Sequence, residues 1–198
     1  MLSSYAEAEG LKVVAYGTSL TEHGGWQEAL QERLVECLKQ PVTVATVAKS
    51  GAGSDWAATV VNHVVAEKPD VVLVEFATND AALQRFISLK QSVANMNGIL
   101  LRLQAETPPP RIFVMAMNPI HGMRGWVRPF LADYEAAHER LARDLGASFI
   151  DHRPAWARLS KDELHRAIPD GSHPAPEVTI PLIVPTIADA IAGSDCRK

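Results

Sequence analysis

The chain has 198 residues, 47 % of them apolar and 21 % charged, and its 19 basic and 23 acidic side chains leave a net charge of −4. This is the make-up of an ordinary globular protein, and the length suits one domain over residues 1–198 with a core large enough to need no staples. Disordered tails, collagen-like chains and disulfide-scaffolded miniproteins are excluded, and no basic run marks a nucleic-acid footprint.

Lys12–Tyr16 reads as a first strand, followed by a helix over Trp26–Gln40 with Trp26, Ala29, Leu30, Leu34, Cys37 and Leu38 at helical spacing, ended by Pro41. Val42–Ala48 is a second strand, and Ser54–Glu67 a second helix capped by Ser54 or Asp55. The continuous apolar run Val71–Phe76 predicts a third strand buried on both faces. A helix follows over Ser88–Glu106, where Ser88 and Gln91 match a capping box, and Pro108 helps to stop it. Arg111–Met117 is the fourth strand, Asn118–Val127 a loop, and Pro129–Leu145 a helix with Gly146 at its C-cap. Ala147–Ile150 is a short fifth strand, residues 151–172 are mostly irregular with short helical pieces at most, and a last helix covers Ile180–Ala192 with Pro185 kinking its start. This alternation predicts an α/β fold: a doubly wound, flavodoxin-like, five-stranded parallel sheet with helices on both faces.

Cys37 and Cys196 lie far apart, without CxxC or metal-ligand spacing. They read as two free thiols in a reducing compartment, with a disulfide as the less favoured alternative. No Lys or Arg precedes Lys12, so no signal peptide is visible. The longest apolar runs are broken by Glu75 or by Pro181 and Pro185, so no membrane span and no membrane partner are expected. The expected location is the cytoplasm.

In open parallel sheets, ligands bind beyond the carboxyl ends of the strands. Those positions hold Gly17-Thr18-Ser19-Leu20-Thr21, Lys49-Ser50-Gly51-Ala52-Gly53, Ala77-Thr78-Asn79-Asp80 and Asn118-Pro119, and Asp170-Gly171-Ser172-His173-Pro174 precedes the last helix. A hydroxyl, a glycine turn, an amide and an Asp-x-x-His at one sheet edge are the parts for acyl transfer through a serine. Each part alone has a plainer reading, as a turn, a helix cap or a surface histidine. A phosphate loop is not matched, and neither is the GxSxG elbow.

In that order the four blocks resemble the SGNH, or GDSL-like, serine hydrolases, a family of esterases and lipases. The resemblance spans nearly the whole chain and includes the stretch Arg128-Pro129-Phe130-Leu131 with Tyr134, and Ile150-Asp151-His152. It implies the SGNH-hydrolase fold, Ser19 as nucleophile, and His173 and Asp170 as the rest of a catalytic triad. It also implies an oxyanion hole from Ser19, Gly51 and Asn79. Two positions depart from the family pattern: Thr18 replaces its aspartate, and Ala77 its glycine. The implied activity is hydrolysis of a small-molecule ester, with short-chain acyl groups such as carbohydrate O-acetyl expected, and no metal or organic cofactor. An acyltransferase with the same triad, or a silent binding domain of the same fold, are the alternatives. Trp56 reads either as a pocket wall or as a core anchor. Met123 and Trp126 read either as substrate contacts in a lid or as anchors of a solvated loop. His23, Asp55 and Asp80 read as polar neighbours or caps. The oligomeric state is not legible.

Overall fold

The strands arise from short, mostly apolar runs. In the computed structural model, which describes residues 10–196, they are β1 (Leu11–Gly17), β2 (Val42–Ala48), β3 (Val71–Glu75), β4 (Arg111–Ala116) and β5 (Ser148–Asp151). They make one parallel sheet in the order β2-β1-β3-β4-β5. Between them run α1 (Ser19–Glu22), α2 (Gln27–Leu38), α3 (Ser54–Ala66), α4 (Ala77–Asp80), α5 (Leu89–Gln104), α6 (Gly122–Trp126) and α7 (Leu131–Asp144). After β5 come α8 (Arg153–Trp156), α9 (Lys161–Ala167) and α10 (Pro176–Ala192).

Strand side chains alternate between the two faces, so one sheet feeds two cores. Val13, Ala15, Leu73, Phe113 and Met115 pack with Leu30 and Leu34 of α2 and Ile183 and Ile187 of α10. Val14, Tyr16, Val72, Val74 and Val114 pack with Val61 of α3 and Met96, Ile99 and Leu103 of α5. Because β1 connects to β2 on one side and β3 stands on the other, the chain reverses its winding direction between β1 and β3. That reversal opens a crevice at the carboxyl ends of β1 and β3.

Several expected boundaries shift. The cap of α3 is Gly53, without a side-chain bond, rather than Ser54 or Asp55. Ser88 caps α5 by accepting from the Gln91 N–H, but the Gln91 side chain turns to Asn95, so the capping box is half formed. Gly146 takes the left-handed conformation (φ +71°) that ends α7. Part of the 118–127 loop is helical (α6), and 151–172 contains α8 and α9. The last helix begins at Pro176, not at Ile180. Pro181 and Pro185 lie inside it on its exposed face, where the carbonyls that lose a partner meet water.

The cysteine expectation is overturned. Cys37, at the end of α2, is bonded to Cys196 in the turn after α10, with Cα atoms 4.9 Å apart. The two helices pack side by side, and this closes a sequence separation of 159 that the pattern of the chain does not reveal. A disulfide persists in oxidising surroundings, which removes the thiol argument for a reducing compartment. No helix among the described residues is long and apolar enough to cross a membrane. Reduction should lower unfolding stability by about 2–5 kcal/mol, as loop closure in the unfolded chain predicts. Urea unfolding with and without dithiothreitol, beside Cys37→Ser/Cys196→Ser, measures it; coincident curves would contradict the bond.

Candidate active site

The end of β1 is shaped around a buried carboxylate. Glu75, the last residue of β3, is 2 % exposed. It accepts hydrogen bonds from the Thr18 N–H (2.6 Å), the Thr21 hydroxyl (2.8 Å) and the Thr18 hydroxyl (3.0 Å). A Cβ on Gly17 would overlap Glu75 and Thr21, so only glycine fits beside them. Thr18 also caps α1 by accepting from the Leu20 N–H, so a hydroxyl holds the turn where the family pattern has an aspartate. This turn carries Ser19.

Burial pushes Glu75 up to about 7 against the opposing bonds from Thr18 and Thr21. The folded protein therefore keeps a proton between pH 4.5 and 7 that the unfolded chain releases. Its stabilising contribution is full below pH 4.5 and is lost as pH rises through 7. Relative to wild type, Glu75→Gln should gain on the order of 3 kcal/mol between those limits. Chemical unfolding at a series of pH values reads the difference directly. His138 and His152, which burial pushes down to about 4, are present in both proteins and cancel.

Ser19 Oγ lies 2.8 Å from His173 Nε2, and His173 Nδ1 lies 2.7 Å from Asp170 Oδ2. Gly171 makes the tight loop between them possible: its φ is +80°, and a Cβ there would strike the His121 carbonyl. Asp170 Oδ1 accepts from the N–H groups of His173 (2.7 Å) and Ser172 (2.9 Å), while Arg124 reaches Oδ2 at 3.3 Å. Burial raises the acid's pKa, but the bonds from His173 and Ser172 outweigh it and hold the carboxyl well below the usual range. Asn118, after β4, donates to the Ser172 carbonyl at 2.9 Å and ties the loop to the sheet.

Gly51 sits in a turn closed by Ala52 N–H to Lys49 C=O (3.1 Å), at φ +73°. Among the described residues, no protein acceptor engages the N–H groups of Ser19 or Gly51. Asn79, in α4, donates one Nδ2 hydrogen to the Ala52 carbonyl at 2.8 Å, leaving the second for another acceptor. Its Oδ1 faces Arg128 Nη2 at 3.3 Å, while Arg128 Nε donates to the Thr78 carbonyl at 2.7 Å. Ala77 is helical with its methyl buried beside Ala81 and Tyr134, so the lost glycine costs no backbone strain. Asp80 accepts from the Ser54 N–H (2.7 Å) and the Ser92 hydroxyl, which also meets His138 (2.8 Å). This buried chain clamps α4 to the start of α3, and thereby the Asn79 segment to the Gly51 turn.

A cavity of about 520 Å³ opens over these groups, bordered by Ser19, Gly51, Asn79, Arg85, Arg124, Arg128 and His173 among others. On the other side of Ser19, a cleft of about 20 Å³ lies between Leu20, Gly24, Met117, Pro174 and Thr179. Ser19, Gly51, Asn79, Asp170 and His173 are thus brought together, whereas Trp56, Met123 and Trp126 border neither space. Trp56 packs against Tyr16 and Phe76 in the core. Met123 and Trp126 are 79 % and 81 % exposed on α6, whose Arg124 faces the cavity instead. His23 borders both spaces, Asp55 pairs with Arg85, and Asp80 is buried. Sequence reasoning missed the parts played by Arg124, Arg128 and Asn118, and noted Glu75 only as a break in an apolar run. Two of these had a signal: an acid inside a buried strand, and an amide at a strand end.

The parallel sheet, with Ser19, His173 and Asp170 in hydrogen-bond contact at its winding reversal, has the SGNH-hydrolase fold. The chain belongs to the GDSL-like lipase/acylhydrolase family, which it matches over residues 7–178. Among solved structures it is similar to Axe2, an acetylxylan esterase from Geobacillus stearothermophilus, at 18 % identity and a TM-score of 0.77 over 94 % of this chain and 96 % of that one. It is also similar to a lipase/acylhydrolase from Enterococcus faecalis, at 20 % identity and a TM-score of 0.76 over 92 % and 96 % of the two chains. No curated protein matches it in sequence.

Proposed function

We propose that the protein hydrolyses short-chain acyl esters, carbohydrate O-acetyl esters first among them, through an acyl-enzyme on Ser19. The observation that carries this reading is the unbroken relay Ser19 Oγ–His173 Nε2–Asp170, at 2.8 and 2.7 Å, beside N–H groups that no acceptor among the described residues engages. His173 Nε2 takes the Ser19 proton as Oγ bonds to the ester carbonyl carbon. The carbonyl oxygen becomes an oxyanion facing the N–H groups of Ser19 and Gly51 and the second Nδ2 hydrogen of Asn79. Each such donor is worth about 3–4 kcal/mol in the transition state. The C–O bond then breaks, and the leaving alcohol takes the proton from His173. Water, deprotonated by His173, attacks the acyl carbon and restores Ser19. Asp170 keeps the proton on Nδ1, so Nε2 is free to accept.

The cleft of about 20 Å³ supports a short acyl group, because it has room for little more than a methyl. The cavity of about 520 Å³ is then left for the alcohol. The acetylxylan substrate in the Axe2 name supports an O-acetyl ester of a carbohydrate. A fluorophosphonate probe should add one adduct to the wild type and none to Ser19→Ala, by intact mass. Acetylated xylo-oligosaccharides should release acetate, and added alcohols should not divert it into new esters. A folded wild type without an adduct would overturn the hydrolase in favour of a binding domain; acetyl transfer to the added alcohol would make it an acyltransferase.

A further inference from the structure

The larger cavity has a cationic wall that ester hydrolysis alone does not require. Arg85, Arg124 and Arg128 border it. Arg85 is paired with Asp55 at 2.8 Å and Arg124 with Asp170 at 3.3 Å. Glu22 does not border the cavity, and it is engaged by Ser50 and His23, which do. Arg128 differs from its neighbours. It is 9 % exposed, and its acceptors are the carbonyls of Thr78 (2.7 Å) and Arg124 (2.9 Å) and the Asn79 amide oxygen (3.3 Å), all uncharged. No carboxylate among the described residues pairs with it. A guanidinium has five N–H donors, so Nη1 and Nη2 each keep one without an acceptor. Burial and the neighbouring Arg124 both press against its charge. A buried cation without a counter-charge is costly, and a ligand anion is the group that removes the cost.

We propose that the alcohol half of the substrate carries a carboxylate that binds Arg128, with Arg124 at its side, so that the preferred ester is the O-acetyl ester of a hydroxy acid such as a sugar acid. This rests on the hydrolase reading of the same site. One free hydrogen on each of Nη1 and Nη2 can meet the two oxygens of a carboxylate. Once Arg85 and Arg124 are paired, the wall's excess is a single positive charge, which a monoanion balances. The chain as a whole is negative, at −4, so its net charge gives no general attraction for an anion.

Two probes of equal shape test it: 3-acetoxybenzoate and its neutral analogue 3-acetoxybenzamide, each enzymatic kcat/KM divided by that ester's own rate in hydroxide. The carboxylate should be preferred at least tenfold at low ionic strength, less in added salt. The product 3-hydroxybenzoate should bind at least tenfold more tightly than 3-hydroxybenzamide in calorimetry. In Arg128→Met both rates fall, because Asn79 loses a partner, and the preference collapses to about one. Arg128→Lys keeps the charge and part of the preference, and together with the wild-type ratio it decides the matter if Arg128→Met does not fold. Equal turnover of the two esters, equal binding of the two products, or a preference that survives Arg128→Met would overturn the carboxylate site while leaving the hydrolase intact. Absence of turnover together with absence of a fluorophosphonate adduct would overturn the hydrolase reading, and this site with it.

Discussion

Ser19→Ala is expected to lower kcat for an acetyl ester by roughly 10⁵–10⁶-fold, the loss seen when the nucleophile of a serine relay is removed. Its thermal midpoint should stay within about 1 °C of wild type, because a partly exposed hydroxyl whose one side-chain partner is His173 adds little to stability. The residual rate measures what the remaining donors do alone. Ser19 and Gly51 keep their N–H groups and Asn79 its amide, so a substrate still binds beside oxyanion donors with no atom to attack it. Steady-state kinetics on a chromogenic acetate, with the variant purified free of wild-type carry-over, measures the ratio. A loss under a hundredfold would place the nucleophile elsewhere.

Asp170→Asn should cost about 10⁴-fold in kcat, and for a different reason. The Asn oxygen can still accept the two backbone N–H groups that Oδ1 now holds, so the loop is expected to keep its shape. The new NH₂ would take the place of Oδ2 and point a hydrogen at His173 Nδ1. That forces the proton onto Nε2, the atom that must accept from Ser19. Arg124 also loses its counter-charge. Near-normal activity in a folded variant would mean that His173 is oriented by something other than Asp170. Circular dichroism confirms the fold, and the fluorophosphonate rate reports the loss of activation at Ser19 without reference to any ester.

The strands were legible because short β-branched runs between turns leave little else to form, and β2 falls on its expected bounds. The grouping of Ser19, Gly51 and Asn79 was legible for a related reason: they follow strand ends, and a parallel sheet gathers strand ends at one edge, whereas Asp170 and His173 stand before the last helix and were read from their own spacing. What escaped the sequence depended on reach across space. Arg128 meets Asn79 from 49 residues away through a side chain whose length allows many targets. Cys37 and Cys196 meet because α2 and α10 pack together, which no local pattern records. The short helix α6 has too few turns to show a period, so it reads as a loop, and α8 and α9 are the short helical pieces allowed for in 151–172, without a period to fix their bounds. Ser54 looked like a cap by its chemistry, yet its N–H is held by Asp80 and its hydroxyl accepts from Asn95.

Helix α10 begins at Pro176, just past His173, and the turn that follows it holds Cys196. Its 17 residues span about 25 Å at 1.5 Å each. A bead, electrode or fusion partner attached beyond Cys196 would therefore stand a full helix length from the imidazole. The covalent link to α2 would carry the pull of the tether into the body of the molecule rather than along α10 toward the loop that carries His173. Attachment at that end stands away from the catalytic loop, whereas new chain ends made between His173 and Pro176 would sever the covalent continuity between that loop and α10.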